Sequence, residues 1–193
     1  MFAYYLLVGV PMLLALLMYS IKYTHQLNRS PYQREVIRAF FMIYFLLLAF
    51  RAEEIGADTW NYLSKFRNAK TTKWSDPGYD LLELLIHSIT DSERIFLSVI
   101  AFITVYPIAK LYMEESESPV LTISLFLILP MFQMLFSGLR QAVAMAFVPA
   151  AYRCIQERKL LKFLILVWLA SFFHRPSFRS SRAAPIVRRM NLQ

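Results

Sequence analysis

The sequence has very little glycine and a single cysteine, Cys154. Only 4 of its 193 residues are glycine, so long flexible loops have little support. One cysteine excludes an intrachain disulfide and a cysteine-based metal site, and we interpret Cys154 as a buried small apolar side chain. The three histidines, His25, His87 and His174, have no metal-ligand spacing. Motifs of the forms Gly-x-x-x-x-Gly-Lys-Ser/Thr, His-Glu-x-x-His and Gly-x-Ser-x-Gly are missing, so the sequence gives little support to ATP hydrolysis or zinc chemistry.

Long runs without charge are what the sequence has in abundance. The chain is 58% hydrophobic, contains 16 phenylalanines and has a mean hydropathy of +0.44. A bilayer core of about 30 Å needs about 20 apolar residues in a helix. The pattern therefore predicts an all-α, polytopic integral membrane bundle of about six transmembrane or re-entrant helices. The uncharged runs cover residues 2–21, 39–50, 95–109, 119–139, 141–152 and 163–173.

The order of these runs predicts a domain over residues 1–174, followed by an arginine-rich disordered tail over residues 175–193. The fifth helix is short for a full span, so spanning and re-entrant forms both stay open. An amphipathic helix over residues 79–89, after the turn at Asp76-Pro77-Gly78, is expected in the membrane interface. The first helix lacks a basic start and a cleavage site, so we interpret it as a retained span. Helices are predicted over residues 2–21, 36–52, 95–113, 119–137, 140–152 and 160–174.

The positive net charge of +8 does not indicate nucleic acid binding, because the basic residues lie mainly in short links between apolar runs. The links 22–38 and 153–162 each hold four Lys or Arg and one Glu, and are predicted to be cytoplasmic. With the N-terminus outside, the long link 53–94, the corner at 138–140 and His174 then share the outer side.

Three ionisable residues at predicted helix ends are candidates for function, since charge near hydrocarbon is costly. Asp58 could cap a helix, or act as a base or an acceptor for a sugar hydroxyl. Arg140 follows the helix break at Gly138 and could grip a phosphate or extend to lipid headgroups. His174 ends the last helix, where a structural role and an acid–base role are both open. The sequence does not show whether the three converge.

The residues around these positions resemble the EpsG family of bacterial exopolysaccharide and capsule polymerases, related in role to Wzy O-antigen polymerases. The resemblance covers residues 2–174, and Asp76 stands where the family more often has Glu. It is carried by four segments in order: Arg51, Gly56, Asp58, Tyr62 and Phe66; Pro77-Gly78-Tyr79 with Leu81 and Leu82; Ser137-Gly138-Leu139-Arg140-Gln141 with Ala144; and Ala170-Ser171-Phe172-Phe173-His174.

The resemblance implies a glycosyltransferase-like polymerase of the bacterial cytoplasmic membrane. It would join oligosaccharide repeat units carried on undecaprenyl pyrophosphate, with no cofactor or metal. A chain-length regulator and a flippase are implied as partners. Asp58, Arg140 and His174 would be the catalytic residues. Further substrate contacts would come from Arg51, Tyr62 and Gln141.

Such polymerases are longer, and the family pattern is expected to stop after His174. A truncation or frameshift near residue 175 would explain this and would leave an inactive fragment, so enzymatic activity of this chain stays open. A natural short homologue with a disordered tail is the alternative. Two other classes also fit the hydropathy: a non-catalytic membrane subunit, such as a transporter part or scaffold, and a glycan acyltransferase.

Overall fold

The computed structural model describes residues 29–68, 76–116 and 118–174. The helix predicted over residues 2–21 and the tail over residues 175–193 lie outside the described residues. Within the described ranges the chain forms nine helices and no strand, which confirms the all-helical prediction. The helices are α1 (Arg29–Ala49), α2 (Thr59–Arg67), α3 (Pro77–Ile89), α4 (Glu93–Glu115), α5 (Pro119–Ile128), α6 (Pro130–Ser137), α7 (Leu139–Met145), α8 (Val148–Gln156) and α9 (Leu160–Phe173).

Only part of the predicted set of membrane spans appears among the described residues. One helix, α4, is long and apolar enough to cross a membrane, and α5 with α6 would be a second if the bent pair is one span. Helix α1 begins at Arg29, seven residues before the predicted start at residue 36, and so includes further charged residues such as Arg34 and Glu35. The prediction of about six spans is therefore not confirmed over this part of the chain.

Two helices that were predicted to be continuous are broken. The segment 119–137 bends by 54° between α5 and α6, where Leu129 is extended (φ −72°, ψ 151°) before Pro130. Proline has no N–H to donate and disfavours helical geometry in the residue before it, which explains the break. The segment 140–152 is likewise divided between α7 and α8. Helix α8 has a proline, Pro149, in its first turn.

An aromatic core holds the bend between α5 and α6 against α1. The Tyr44 ring packs edge-on to Phe126 with centroids 5.2 Å apart, and its hydroxyl donates to the carbonyl of Phe132 over 2.8 Å. Phe136 also contacts Tyr44, with ring centroids 5.6 Å apart. These four side chains are buried, so the break is packed and hydrogen-bonded from the α1 side.

The predicted amphipathic helix is present as α3, and part of its apolar face is turned outward, whereas Ile86 is buried. Leu81, Leu85 and Ile89 are 54%, 55% and 85% exposed, whereas Glu83 is buried. Helix α9 has no buried residue, although it is almost entirely apolar. Both helices therefore present apolar surfaces that no described part of the chain covers, as an interfacial or lipid-facing helix would.

Candidate functional site

A cavity of about 380 Å³ opens where α2, α6, α7 and the end of α9 meet. It brings together three residues that the sequence placed at separate helix ends, Asp58, Arg140 and His174. Five of the six predicted site residues line it, and Arg51 does not. The polar side chains of the lining are Asp58, Tyr62, Ser137, Arg140, Gln141 and His174, with Gln133 at its wall.

Arg140 enters the cavity from the start of α7, directly after the helix break at Gly138. Its Nη1 donates to the Oδ2 of Asp76 over 2.6 Å, a short charge-assisted bond, and its Nε donates to the Tyr62 hydroxyl over a longer 3.4 Å. The Arg140 side chain is 22% exposed, whereas that of Asp76 is 1% exposed. A buried carboxylate thus holds a guanidinium that is partly open to the cavity.

His174 ends α9 and faces the same carboxylate. Its Nδ1 lies 3.8 Å from the Oδ2 of Asp76, and its Nε2 lies 3.3 Å from the Nε2 of Gln141. The Nδ1 atom is buried and has no hydrogen-bond partner among the described residues. His174 therefore lies between a buried carboxylate and an amide that borders the cavity.

The approach of α3 to α9 depends on a glycine. A Cβ at Gly78 would lie 2.9 Å from the backbone oxygen of Phe172 and 2.7 Å from its Cδ1. Both are closer than side-chain carbons approach in proteins, so only glycine allows this contact. The contact places Asp76, two residues before Gly78, beside His174, two residues after Phe172.

Asp58 reaches the cavity from the start of α2. It occupies the N-cap position, yet its side chain makes no capping hydrogen bond; it is exposed, and its Oδ1 accepts from the Nδ2 of Asn61 over 3.4 Å. Gly56 precedes it at φ +97°, where a Cβ would lie 2.4 Å from the carbonyl oxygen of Phe136. The turn at Gly56 therefore presses the Asp58 segment onto the end of α6.

A family model matches residues 36–188, which is most of the chain, and it is the model of the EpsG family. The chain belongs to the EpsG family. No curated protein and no solved structure matches it. The match continues past His174 as far as residue 188, so the expectation that the family pattern stops at His174 was wrong.

Three of the four segments that carry the EpsG resemblance line this cavity. The first contributes Asp58 and Tyr62, the third contributes Arg140 and Gln141, and the fourth contributes His174. The second segment, at the start of α3, packs through Gly78 against Phe172 of the fourth segment. Within the described ranges, no group of three or more His, Cys, Asp or Glu side chains is placed to hold a metal ion.

Arg51 was predicted as a substrate contact of this EpsG chain, and it is not among the residues that line the cavity. It is 6% exposed, and its Nη1 donates to the carbonyl of Phe136 over 2.8 Å. The last carbonyls of a helix have no partner within that helix, and α6 ends at Ser137, so Arg51 satisfies one of them. Its observed contact is with the corner that carries Arg140.

Asp76 is the residue of this site that the sequence analysis missed. An acidic residue before Pro77 at a helix start is an ordinary turn or cap, so the local pattern gave no reason to single it out. The structure shows that its side chain makes no cap and pairs with Arg140. The available sequence clue was its position directly before the second EpsG-like segment, where the family more often has Glu.

A second buried ion pair joins α2 to α3, the two helices that carry Tyr62 and follow Asp76. Lys65 on α2 lies 2.9 Å from Glu83 and 2.6 Å from Asp80, both on α3. Neither oxygen of Glu83 has a well-aligned hydrogen bond, so the Lys65 ammonium is the charge that compensates it. Burial raises the pKa of the Glu83 carboxyl above its ordinary value, and Lys65 opposes that shift. The pair fixes α2 on α3, and with it Tyr62 relative to Asp76.

Proposed function

We propose that this EpsG-family chain is a membrane polymerase that joins oligosaccharide repeat units carried on undecaprenyl pyrophosphate. The observation that carries the proposal is the single cavity lined by Asp58, Arg140 and His174. A guanidinium, an imidazole and a carboxylate are the groups that a transfer from a sugar pyrophosphate requires: one for leaving-group charge and two for the acceptor hydroxyl.

The reaction needs no external activation, because the donor sugar is already bound to a good leaving group. The hydroxyl oxygen of one repeat unit attacks the anomeric carbon of another and forms the new glycosidic bond. The bond from that carbon to the phosphate oxygen breaks, and the lipid pyrophosphate leaves with the electron pair. The hydroxyl proton passes to a base in the cavity.

Each side chain has a role in this scheme. Arg140 binds the pyrophosphate and stabilises the negative charge that develops on it. His174 is either a second phosphate contact or the acid–base group, and Asp58 orients or deprotonates the acceptor hydroxyl. Tyr62 and Gln141 border the same space and would contact the sugar or the phosphate.

The apolar surfaces support a membrane setting for this chemistry. Exposed leucine and isoleucine side chains on α3, the uncovered helix α9 and the long apolar helix α4 all fit contact with lipid. We place the chain in the bacterial cytoplasmic membrane as a multi-pass protein with its N-terminus outside. A cavity beside lipid-facing helices suits a substrate whose carrier stays in the bilayer.

Complementation tests the proposal. The 193-residue chain is expressed in a strain that lacks its own polymerase but makes the repeat unit, and the surface polysaccharide is separated on a gel. A ladder of long chains is expected from the wild type, and single repeat units from Arg140→Ala and His174→Ala. Arg38→Ala and His87→Ala are the matched controls, because these residues lie outside the cavity, and both should keep the ladder.

Other outcomes would favour a different class of protein. If wild type and both cavity variants give the same ladder, or none gives one, the polymerase proposal is contradicted. A non-catalytic membrane subunit predicts that the cavity variants change assembly of a membrane complex and leave polymer length unaltered. Membrane levels of each variant are measured in parallel, so that loss of the protein is not mistaken for loss of activity.

A further inference from the structure

We propose that Asp76 is a positioning residue that sets the proton on Nδ1 of His174 and holds Arg140 beside it. His174 then presents the lone pair of Nε2 to the acceptor hydroxyl, which selects the acid–base role over that of a phosphate contact. The catalytic consequence rests on the proposed polymerase function. The pairing of Asp76 with His174 can be tested without it.

The first support is the environment of Asp76. Its side chain is 1% exposed, and a buried carboxylate needs compensating charge or hydrogen bonds. The same oxygen, Oδ2, lies 2.6 Å from Nη1 of Arg140 and 3.8 Å from Nδ1 of His174. The carboxylate is therefore placed between the two groups and serves no helix cap.

The second support is the state of the two ring nitrogens of His174. The amide nitrogen of Gln141, which can only donate, faces Nε2 at 3.3 Å, and this contact fits a lone pair on Nε2 and a proton on Nδ1. Nδ1 is buried without a hydrogen bond among the described residues, and Oδ2 of Asp76 is the carboxylate oxygen beside it. Contacts of this kind are often long in ligand-free sites and shorten when substrate binds.

This arrangement has a defined consequence for the reaction. The acceptor hydroxyl displaces the Gln141 amide from Nε2 and gives its proton to that nitrogen as its oxygen bonds to the anomeric carbon. The carboxylate of Asp76 stabilises the imidazolium that forms, through the Nδ1–H that it already faces. The departing pyrophosphate, with the electron pair of the broken bond, is neutralised by Arg140. One carboxylate thus positions the base and the anion-binding group together.

The direct test is the tautomer of His174, measured by nitrogen NMR. The full chain is labelled with ¹⁵N-histidine, placed in lipid nanodiscs and examined at a pH where the ring is neutral; His25→Gln and His87→Gln assign the signals. The wild type should carry the proton on Nδ1. Asp76→Ala should shift it toward Nε2, and Asp76→Glu should restore it. Glu35→Ala, which removes an exposed carboxylate paired with Arg38, is the control and should leave the tautomer unchanged.

The second readout is polymerisation by the same samples supplied with lipid-linked repeat units. Asp76→Ala should lower the rate by about 10²–10⁴-fold, the range expected when a general base loses the carboxylate that sets its tautomer. Asp76→Glu should recover part of the lost polymerisation rate. Size-exclusion chromatography checks folding; if Asp76→Ala fails it, Asp76→Asn keeps the side-chain size, removes the charge and should show an intermediate tautomer population.

The two readouts separate this proposal from the proposed function. An unchanged tautomer in both Asp76→Ala and Asp76→Asn would overturn the pairing of Asp76 with His174. A shifted tautomer with an undiminished polymerisation rate would overturn the positioning role. If the wild type makes no polymer while its tautomer follows Asp76, the pairing stands and the polymerase function fails.

Discussion

The guanidinium of Arg51 donates to the carbonyl of Phe136 over 2.8 Å and so joins the end of α1 to the end of α6. The same carbonyl oxygen packs against Gly56, where a Cβ would lie at 2.4 Å. Helix α6 ends one residue later, at Ser137, and Arg140 lies in the first turn of α7. One carbonyl therefore sets the position of the Asp58 turn and of the Arg140 corner together.

Replacing Arg51 should loosen this corner. We expect Arg51→Leu to lower the free energy of unfolding by about 1.5–3 kcal/mol, because the change removes a charged donor and leaves buried carbonyls unsatisfied. Arg51→Lys should recover little of the loss, since an ammonium cannot reproduce the guanidinium fork. Denaturant titration in detergent measures the change, and Arg38→Leu is the control, as the Arg38–Glu35 pair is exposed. Equal stability of Arg51→Leu and Arg38→Leu would contradict the prediction.

Gly78 should tolerate no side chain. Gly78→Ala places a Cβ within 2.9 Å of the backbone oxygen of Phe172, which cannot move away as a side chain could. We expect a loss of about 1–3 kcal/mol in unfolding free energy, the usual cost of overpacking, together with a wider separation of Asp76 from His174. Thermal unfolding of detergent-solubilised protein measures the first effect. Leu81→Ala, on the exposed face of the same helix, is the control and should stay within about 0.5 kcal/mol of wild type.

The sequence predicted helices well where the apolar run was long and poorly where prolines interrupt it. The helix over residues 95–113 appears as α4 with only small changes at its ends. The breaks at Pro130 and Pro149 could be seen in the sequence, but hydropathy favoured continuous helices, since membrane helices tolerate proline. The length of a hydrophobic segment thus indicates the element, whereas its continuity depends on what packs beside the proline, as Tyr44 does here through its bond to the carbonyl of Phe132 in α6.

For the site, candidate residues can be identified from the sequence, whereas the fold decides how they meet. Asp58, Arg140 and His174 were singled out because charge at the end of an apolar run is costly, and that local argument needs no tertiary structure. Asp76 and Arg51 could not be separated in this way. The burial of Asp76 and the carbonyl contact of Arg51 arise from partners 64 and 85 residues away, which no local pattern reports.

Removal of Lys65 should be strongly destabilising, because it would leave Glu83 as an uncompensated charge in a buried position. We expect Lys65→Met to cost about 3–5 kcal/mol in unfolding free energy, the usual effect of breaking a buried pair from one side. The double variant Lys65→Met/Glu83→Leu should recover much of the loss, since the buried Glu83 charge is removed and Asp80, the other partner of Lys65, is partly exposed. Denaturant unfolding of the wild type, Lys65→Met, Glu83→Leu and the double variant completes a double-mutant cycle. A double variant no more stable than Lys65→Met alone would contradict a role for the buried charge.

The raised pKa of the Glu83 carboxyl predicts a pH dependence of stability. The folded chain holds the Glu83 proton more tightly than the unfolded chain. The contribution of this proton to the free energy of unfolding is therefore full below the ordinary pKa of 4.5. It is lost as the pH rises through the higher pKa of the folded state. The difference in unfolding free energy between wild type and Glu83→Gln should therefore move in favour of wild type on acidification through this range. Asp91→Asn, at a carboxylate that is 87% exposed, is measured alongside as the control. A difference that is flat with pH, or of the opposite sign, would contradict the burial of Glu83.

The outward apolar face of α3 predicts which side of that helix meets lipid. Leu85 is 55% exposed, whereas His87, on the opposite side, has a side chain that is 21% exposed and contacts Phe66. In a Cys154→Ala background, a spin label at residue 85 should be more accessible to lipid-soluble oxygen than to a water-soluble nickel complex. A label at residue 87 should be poorly accessible to both, because it is packed against protein. Electron paramagnetic resonance in nanodiscs measures the two accessibilities. A label at residue 85 that prefers the nickel complex would place this face in water and would remove α3 from the membrane interface.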